Sequence, residues 1–93
     1  MPIIKPNRSS AWAQYTVRVN NRDDMQAMLK DNGVPAAVHY PIPIHLQECF
    51  QYLSYKKGDF PISELASKEV MSLPMNSFLS CKEMQYVFKM LNV

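Results

Sequence analysis

Residues 38–45, V-H-Y-P-I-P-I-H, restrict the possible folds of this 93-residue chain more than any other stretch. A proline lacks the backbone N–H, fixes φ and disfavours helix in the residue before it. Pro41 and Pro43 therefore exclude a helix and a central strand here and require an extended chain. The regular elements must lie on either side of this segment.

Before this segment the sequence predicts a strand, a helix and a second strand. Residues 12–19, W-A-Q-Y-T-V-R-V, alternate between apolar and polar positions and are rich in β-branched and aromatic side chains, which favours a strand with one apolar face. Asn20 or Asn21 offers a helix cap, with acidic residues in the first turn, and Gly33 ends that helix. Residues 35–40, short and apolar, are predicted to form the second strand.

After this segment the sequence predicts helices. Residues 45–53 carry apolar side chains at helical spacing. Pro61 suits the first turn of a further helix, because its missing N–H is not needed there. Residues 71–73 form either the end of that helix or a short strand before the next proline. Ser80 and Glu83 fit a capping box at the start of a last, clearly amphipathic helix.

This order of elements predicts one small α+β domain. We expect a two-layer α/β arrangement, with a small, mainly antiparallel sheet of about three strands and three to four helices packed on it. Positions 1–9, which contain two early prolines, are predicted to form an extended lead-in segment, and positions 10–93 the domain itself.

Composition and spacing argue against several kinds of site. The net charge of +2, with scattered basic residues, gives no reason to expect nucleic acid, and no apolar run approaches a membrane span. The chain has only two glycines, too few for a glycine-rich phosphate loop. The two cysteines form no C-x-x-C pair, which favours reduced thiols in a cytoplasmic protein. His39 and His45 have no known metal-ligand spacing, so we expect no metal.

His39 and Tyr40 are the candidate site residues. They lie at the end of the predicted second strand, where side chains are held firmly and can still reach a cleft. Imidazole and phenol groups can both hydrogen-bond to phosphate or hydroxyl oxygens. From the residues alone two interpretations stay open: a ligand-binding pair, or a structural histidine beside a half-buried tyrosine.

The string H-Y-P-I-P-I-H-L-Q, residues 39–47, closely resembles the C-terminal part of the DegT/StrS-type sugar aminotransferases, which use pyridoxal phosphate (PLP) and belong to the aspartate-aminotransferase superfamily of fold type I. The resemblance extends over nearly all of the chain from residue 7 onward, including residues 10–19, 29–41, 57–75 and 80–91. Two departures are Asn76, where the family usually has histidine, and Cys81, where it has a polar or small residue.

The resemblance implies the C-terminal small domain of an enzyme that transfers an amino group, with glutamate as the expected donor, to a nucleotide-linked keto sugar. In such an enzyme this domain closes the substrate cleft, and His39 and Tyr40 would contact the nucleotide-sugar, including its phosphates. The parent enzyme is expected to be a cytoplasmic homodimer of polysaccharide biosynthesis, with PLP bound to a lysine of its large domain.

No lysine of this chain lies in a context that resembles the family's PLP-lysine motif. We therefore expect no catalytic and no cofactor-binding residue here, no bound PLP, and no transamination by the chain alone. Surface that a large domain would otherwise cover is expected to make the chain self-associate. The alternative is a free-standing, non-catalytic interaction or ligand-binding module, which would instead be a stable monomer.

Overall fold

The alternating sequence near the N-terminus forms strand β1, Tyr15–Arg18, in a computed structural model that describes residues 3–92. Positions 1 and 2 of the predicted lead-in segment and position 93 of the predicted domain lie outside the described residues. The elements after β1 are helix α1, Arg22–Asp31; two short 3₁₀ helices, Ile44–Leu46 and Glu48–Leu53; helix α2, Pro61–Glu69; strand β2, Val70–Leu73; and helix α3, Cys81–Met90.

Strands β1 and β2 pair antiparallel, with Tyr15 opposite Leu73 and Arg18 opposite Val70. This sheet and the helices confirm the predicted α+β class, although the described residues form two strands rather than about three. Strand β1 is also shorter than residues 12–19, and Trp12, at the start of that stretch, has a φ of 48°, outside the extended region.

The strand predicted at residues 35–40 is wrong in its extent, since only Ala37 pairs with the sheet. Ala37 and Ser72 exchange both backbone hydrogen bonds, at 3.1 and 2.7 Å, as an isolated bridge. Pro35 and Pro41 lie on either side of this bridge and have no N–H to extend the pairing. The short helix predicted for residues 45–53 is likewise split into two 3₁₀ helices by Gln47, whose ψ of 143° is extended.

Helix α1 packs the centre of a small core. Its Leu29 is fully buried and meets residues from the sheet, the following loop and α3, namely Val34, Met71, Leu73 and Val87. Gly33 ends the helix as predicted, with a φ of 73°, and the next N–H, that of Val34, donates to the Leu29 carbonyl oxygen at 2.8 Å. Asn21 does precede the helix, but its side chain makes no capping bond.

Helices α2 and α3 begin as the sequence predicts. Pro61 occupies the first turn of α2, and α2 is followed directly by β2. Of the two alternatives for residues 71–73, the end of the helix or a short strand, the structure therefore has the strand. At α3 the Glu83 N–H donates to Ser80 Oγ at 3.3 Å, and the Ser80 N–H donates to Glu83 Oε2 at 2.8 Å, so the capping box is confirmed. No helix within residues 3–92 has the length and apolar character needed to cross a membrane.

We expect Ser80→Ala to lower the free energy of unfolding by about 1 kcal/mol, because α3 loses the side-chain acceptor of its first turn. Urea denaturation followed by circular dichroism measures this change. The matched control is Ser77→Ala, an exposed serine three positions earlier, which should leave the midpoint nearly unchanged. Equal midpoints for the two variants would contradict a stabilising cap.

Candidate functional site

A cleft of about 530 Å³ opens between the proline-rich segment, the loop before α2, and α2 itself. Its walls are mostly apolar and aromatic, and no Asp, Glu, Lys or Arg is found among its lining residues in the part of the chain that the structure describes. The lining residues are Thr16, His39, Tyr40, Ile42, Pro43, Ile44, His45, Leu53, Tyr55, Phe60, Ser63, Ala66, Ser67 and Val70. A site with this lining suits an uncharged, partly apolar group better than a highly charged one.

Both residues that the sequence singles out lie at this cleft. His39 is exposed and Tyr40 is 68% exposed, so neither ring is buried in the core. Their ring centroids are 5.7 Å apart in an edge-to-face arrangement. Tyr40 is therefore more than half exposed, and both rings are accessible from the cleft.

The sheet anchors the His39 ring through two hydroxyl groups that sequence reasoning did not select. His39 Nδ1 lies 3.3 Å from Ser72 Oγ, and Ser72 Oγ lies 3.0 Å from Thr16 Oγ1. Because Ser72 is buried in β2, this contact fixes the ring on a rigid element. The contact uses Nδ1, so Nε2 is the ring nitrogen that can face a ligand. The alternation around Thr16 was visible in the sequence, but its partner across the sheet was not.

A buried histidine lines the other end of the cleft and contacts a glutamate that is not itself among the lining residues. His45 lies in the first 3₁₀ helix, and its Nε2 is 3.1 Å from Glu64 Oε1. The same oxygen accepts a hydrogen bond from the Gly58 N–H at 2.7 Å. This bond from Gly58 is the main cause that lowers the pKa of Glu64 below its ordinary value of 4.5; burial opposes the effect, and the bond to His45 adds to it.

Three rings pack against one another along this side of the cleft: those of His45, Phe60 and Tyr55. The centroids of His45 and Phe60 are 4.8 Å apart, and those of Tyr55 and Phe60 are 5.0 Å apart and nearly perpendicular. We call these three side chains the aromatic wall. The sequence predicts His45 at the start of the helix over residues 45–53, and no spacing in the sequence signals that it meets a glutamate 19 positions later.

A matching arrangement of strands and helices occurs in aminotransferases. The structure superposes on an aminotransferase from Brucella abortus with a TM-score of 0.84 and 33% sequence identity, over 98% of this chain and 24% of that one. The chain belongs to the DegT/DnrJ/EryC1/StrS aminotransferase family, whose sequence profile matches residues 1–92. This confirms the resemblance that the proline-rich motif indicates.

Two relatives illustrate how this chain relates to longer proteins. It is 46% identical over 80 residues to a pleiotropic regulatory protein of Geobacillus stearothermophilus, covering 86% of this chain and 22% of the relative. It is 43% identical over 86 residues to the UDP-2-acetamido-2-deoxy-3-oxo-D-glucuronate aminotransferase of Pseudomonas aeruginosa, covering 92% of this chain and 23% of that enzyme. The chain thus spans somewhat less than a quarter of the length of these relatives.

The cleft does not fit the covalent attachment of PLP. Attachment requires a lysine amine, and the lining within residues 3–92 contains no lysine. Nor do those residues bring three or more His, Cys, Asp or Glu side chains together in a group that could hold a metal ion. The cleft can instead bind, orient and shield an uncharged group.

Proposed function

We propose that residues 10–93 form the small C-terminal domain of a PLP-dependent aminotransferase acting on a nucleotide-linked keto sugar, with residues 1–9 leading into it. The observation that carries the proposal is the exposure of His39 and Tyr40 at a cleft in a chain of this aminotransferase family. The domain closes the substrate cleft, and His39 and Tyr40 contact the ligand. The Pseudomonas aeruginosa relative, which acts on a UDP-linked keto sugar by its name, supports this substrate class.

The lining of the cleft supports a division of the ligand between the cleft and its mouth. The aromatic wall and the aliphatic lining suit the uncharged part of a nucleotide-sugar, a sugar ring or a base. A diphosphate needs cationic groups, which the described lining does not provide. We therefore assign His39 and Tyr40 only to the outer edge of the ligand. There, His39 Nε2 or the Tyr40 hydroxyl donates a hydrogen bond to one phosphate oxygen.

In this proposal the cofactor chemistry belongs to polypeptide other than residues 3–92. PLP, when bound to its enzyme, supplies the electron sink for amino transfer. The residues of this chain contribute ligand orientation and exclusion of water from the cleft. Glutamate as donor, a homodimeric parent and a cytoplasmic location complete the proposal.

The extent of exposed surface supports a larger parent structure. The chain exposes 7792 Å², whereas a compact protein of this mass exposes roughly 5,500 Å². Its radius of gyration is 16.0 Å, against about 12 Å for a compact chain of this length. The excess of about 2,300 Å² on one chain is as large as one side of a permanent interface, which buries about 2,000–5,000 Å² counted over both partners. The exposed apolar side chains include Tyr15, Ile62, Phe78 and Phe88.

A chimeric enzyme tests the proposal. This chain would replace the matching C-terminal segment of the Pseudomonas aeruginosa relative, and amino transfer from glutamate to the UDP-linked keto sugar would be measured. We expect the chimera to transaminate, while the isolated chain with added PLP shows neither activity nor a stable Schiff-base absorbance. A folded, PLP-loaded chimera without activity would contradict the proposal, and the relative truncated before this segment is the inactive control.

One observation favours a second candidate, the non-catalytic binding module. The Geobacillus stearothermophilus relative is named as a regulatory protein, although this chain covers only 22% of it. Light scattering separates the two candidates. A detached enzyme domain is expected to self-associate through its exposed apolar side chains, whereas a free-standing module stays monomeric at high concentration.

A further inference from the structure

We infer that Glu64 is a positioning residue for the cleft: it does not line the cleft itself, and it holds the aromatic wall in the geometry that binds the ligand. This inference rests on the proposed function, since it names the group that sets the shape of the same site. Glu64 links three segments: its own helix α2, the loop of residues 54–60 directly before that helix, and the first 3₁₀ helix, 19 positions earlier in the sequence.

The contacts of Glu64 converge on one atom in a place with little water. Its Oε1 meets both the Gly58 N–H and His45 Nε2, at 2.7 and 3.1 Å. The side chains of His45 and Glu64 are only 8% and 13% exposed. Hydrogen bonds to a carboxylate are stronger than neutral ones, and the exclusion of water strengthens them further.

The loop before α2 depends on this carboxylate. Every residue from 54 to 60 is exposed, and the other described hydrogen bonds of residues 55–59 are internal, between Lys56 and Asp59. Gly58, with a φ of 98° that glycine adopts without strain, directs its N–H to Glu64. Tyr55 enters the wall from this loop, and its ring packs on Phe60.

Both ends of the aromatic wall therefore depend on Glu64: His45 by a direct bond and Tyr55 through the loop. Without the carboxylate the rings lose their common anchor and the wall samples other positions. A displacement of about 1 Å in a positioned group can change rates or affinities by one to two orders of magnitude. Glu64 thus affects ligand affinity without touching the ligand.

The experiment compares the unsubstituted chain with Glu64→Ala and Glu64→Gln, using UDP-N-acetylglucosamine as the probe in an NMR titration. Glu64→Gln has the same side-chain length and keeps one acceptor oxygen, so we expect it to fold. It is the variant that decides the test if Glu64→Ala does not fold. The matched control is Glu69→Ala, which removes a glutamate from the same helix whose partner is Arg18 of β1. Two quantities are measured at pH 7: the Kd of the probe and the chemical shift of the Gly58 amide proton.

We expect Kd to rise roughly tenfold in Glu64→Ala and by a smaller factor in Glu64→Gln, with no change in Glu69→Ala. The Gly58 amide proton should move upfield in both Glu64 variants, because its charged acceptor is gone. That spectroscopic change reports the bond itself and is not produced by a general loss of stability.

An unchanged Kd in both Glu64 variants, or in Glu64→Gln alone if the alanine variant does not fold, overturns the positioning role while leaving the proposed function intact. A weaker Kd with an unmoved Gly58 amide proton also overturns it, because the effect would not pass through this bond. If the unsubstituted chain does not bind the probe at all, the positioning role fails, because Glu64 then sets no affinity in this cleft. The proposed function is tested separately, by the activity of the chimera.

Discussion

Leu29→Ala is expected to lower the free energy of unfolding by about 2–5 kcal/mol, a large part of the total stability of a small domain. Leu29 is fully buried at the centre of the core, against Met71 of β2 and Val87 of α3. Removing its side chain loses apolar burial and leaves a cavity that the surrounding strands and helices can fill only in part. Because few other apolar side chains within residues 3–92 are completely buried, the described part of the chain offers no second core cluster to compensate for the loss.

Urea denaturation of the two proteins measures the difference. The matched control is Leu65→Ala, which makes the same change on α2 at a side chain that is 49% exposed. We expect the control to lose less than about 1 kcal/mol. Equal losses at the two positions would show that the core does not centre on α1.

Local patterns in the sequence predicted the helix boundaries well, because the groups that decide them are near neighbours. The capping box needs only Ser80 and Glu83, three residues apart, and the structure contains both of its bonds. Gly33 likewise ends α1 by its own backbone conformation. Such interactions can be inferred without knowing where the rest of the chain lies.

Pairing across the sheet was predicted less well, because it depends on partners distant in sequence. The apolar pattern of residues 35–40 suits a strand, yet only Ala37 reaches Ser72. Likewise the sequence predicts an amphipathic α3 but not which side chains of its apolar face are covered: Val87 is buried, whereas Phe88 remains 44% exposed. The tertiary arrangement, rather than local propensity, decides these outcomes.

The same distinction explains which site residues the sequence suggested. His39 and Tyr40 stand in one continuous motif, and both lie at the cleft. Glu64 and Gly58 meet His45 only after the loop before α2 folds back, and no periodic pattern connects these positions. Contiguous motifs therefore indicated one side of the cleft, and the fold was required to identify the other.

Tyr40→Ala in the chimeric enzyme is expected to reduce kcat/KM roughly 5- to 160-fold. It removes the hydroxyl that donates to the ligand and also the ring, and stacking on an aromatic ring alone can contribute about 1–3 kcal/mol. Tyr40 lies on the extended segment at the mouth of the cleft, where it is 68% exposed. Such an exposed side chain contributes little to folding, so the variant should keep its thermal midpoint. The loss should appear chiefly in KM if the ring binds substrate and transition state equally.

Tyr52→Ala is the control, because Tyr52 is a tyrosine with 76% exposure in the nearby 3₁₀ helix and is not among the lining residues of the cleft. Tyr40→Phe separates the ring from its hydroxyl: a near-normal KM would assign the effect to stacking, and a KM like that of the alanine variant would assign it to the hydrogen bond. A Tyr40→Ala enzyme with the kinetics of the Tyr52→Ala enzyme would remove Tyr40 from the site. The Tyr40 ring packs edge-to-face against the His39 ring, which is anchored to Ser72. If Tyr40 does not contribute, the His39 imidazole alone would bind the ligand at the mouth of the cleft.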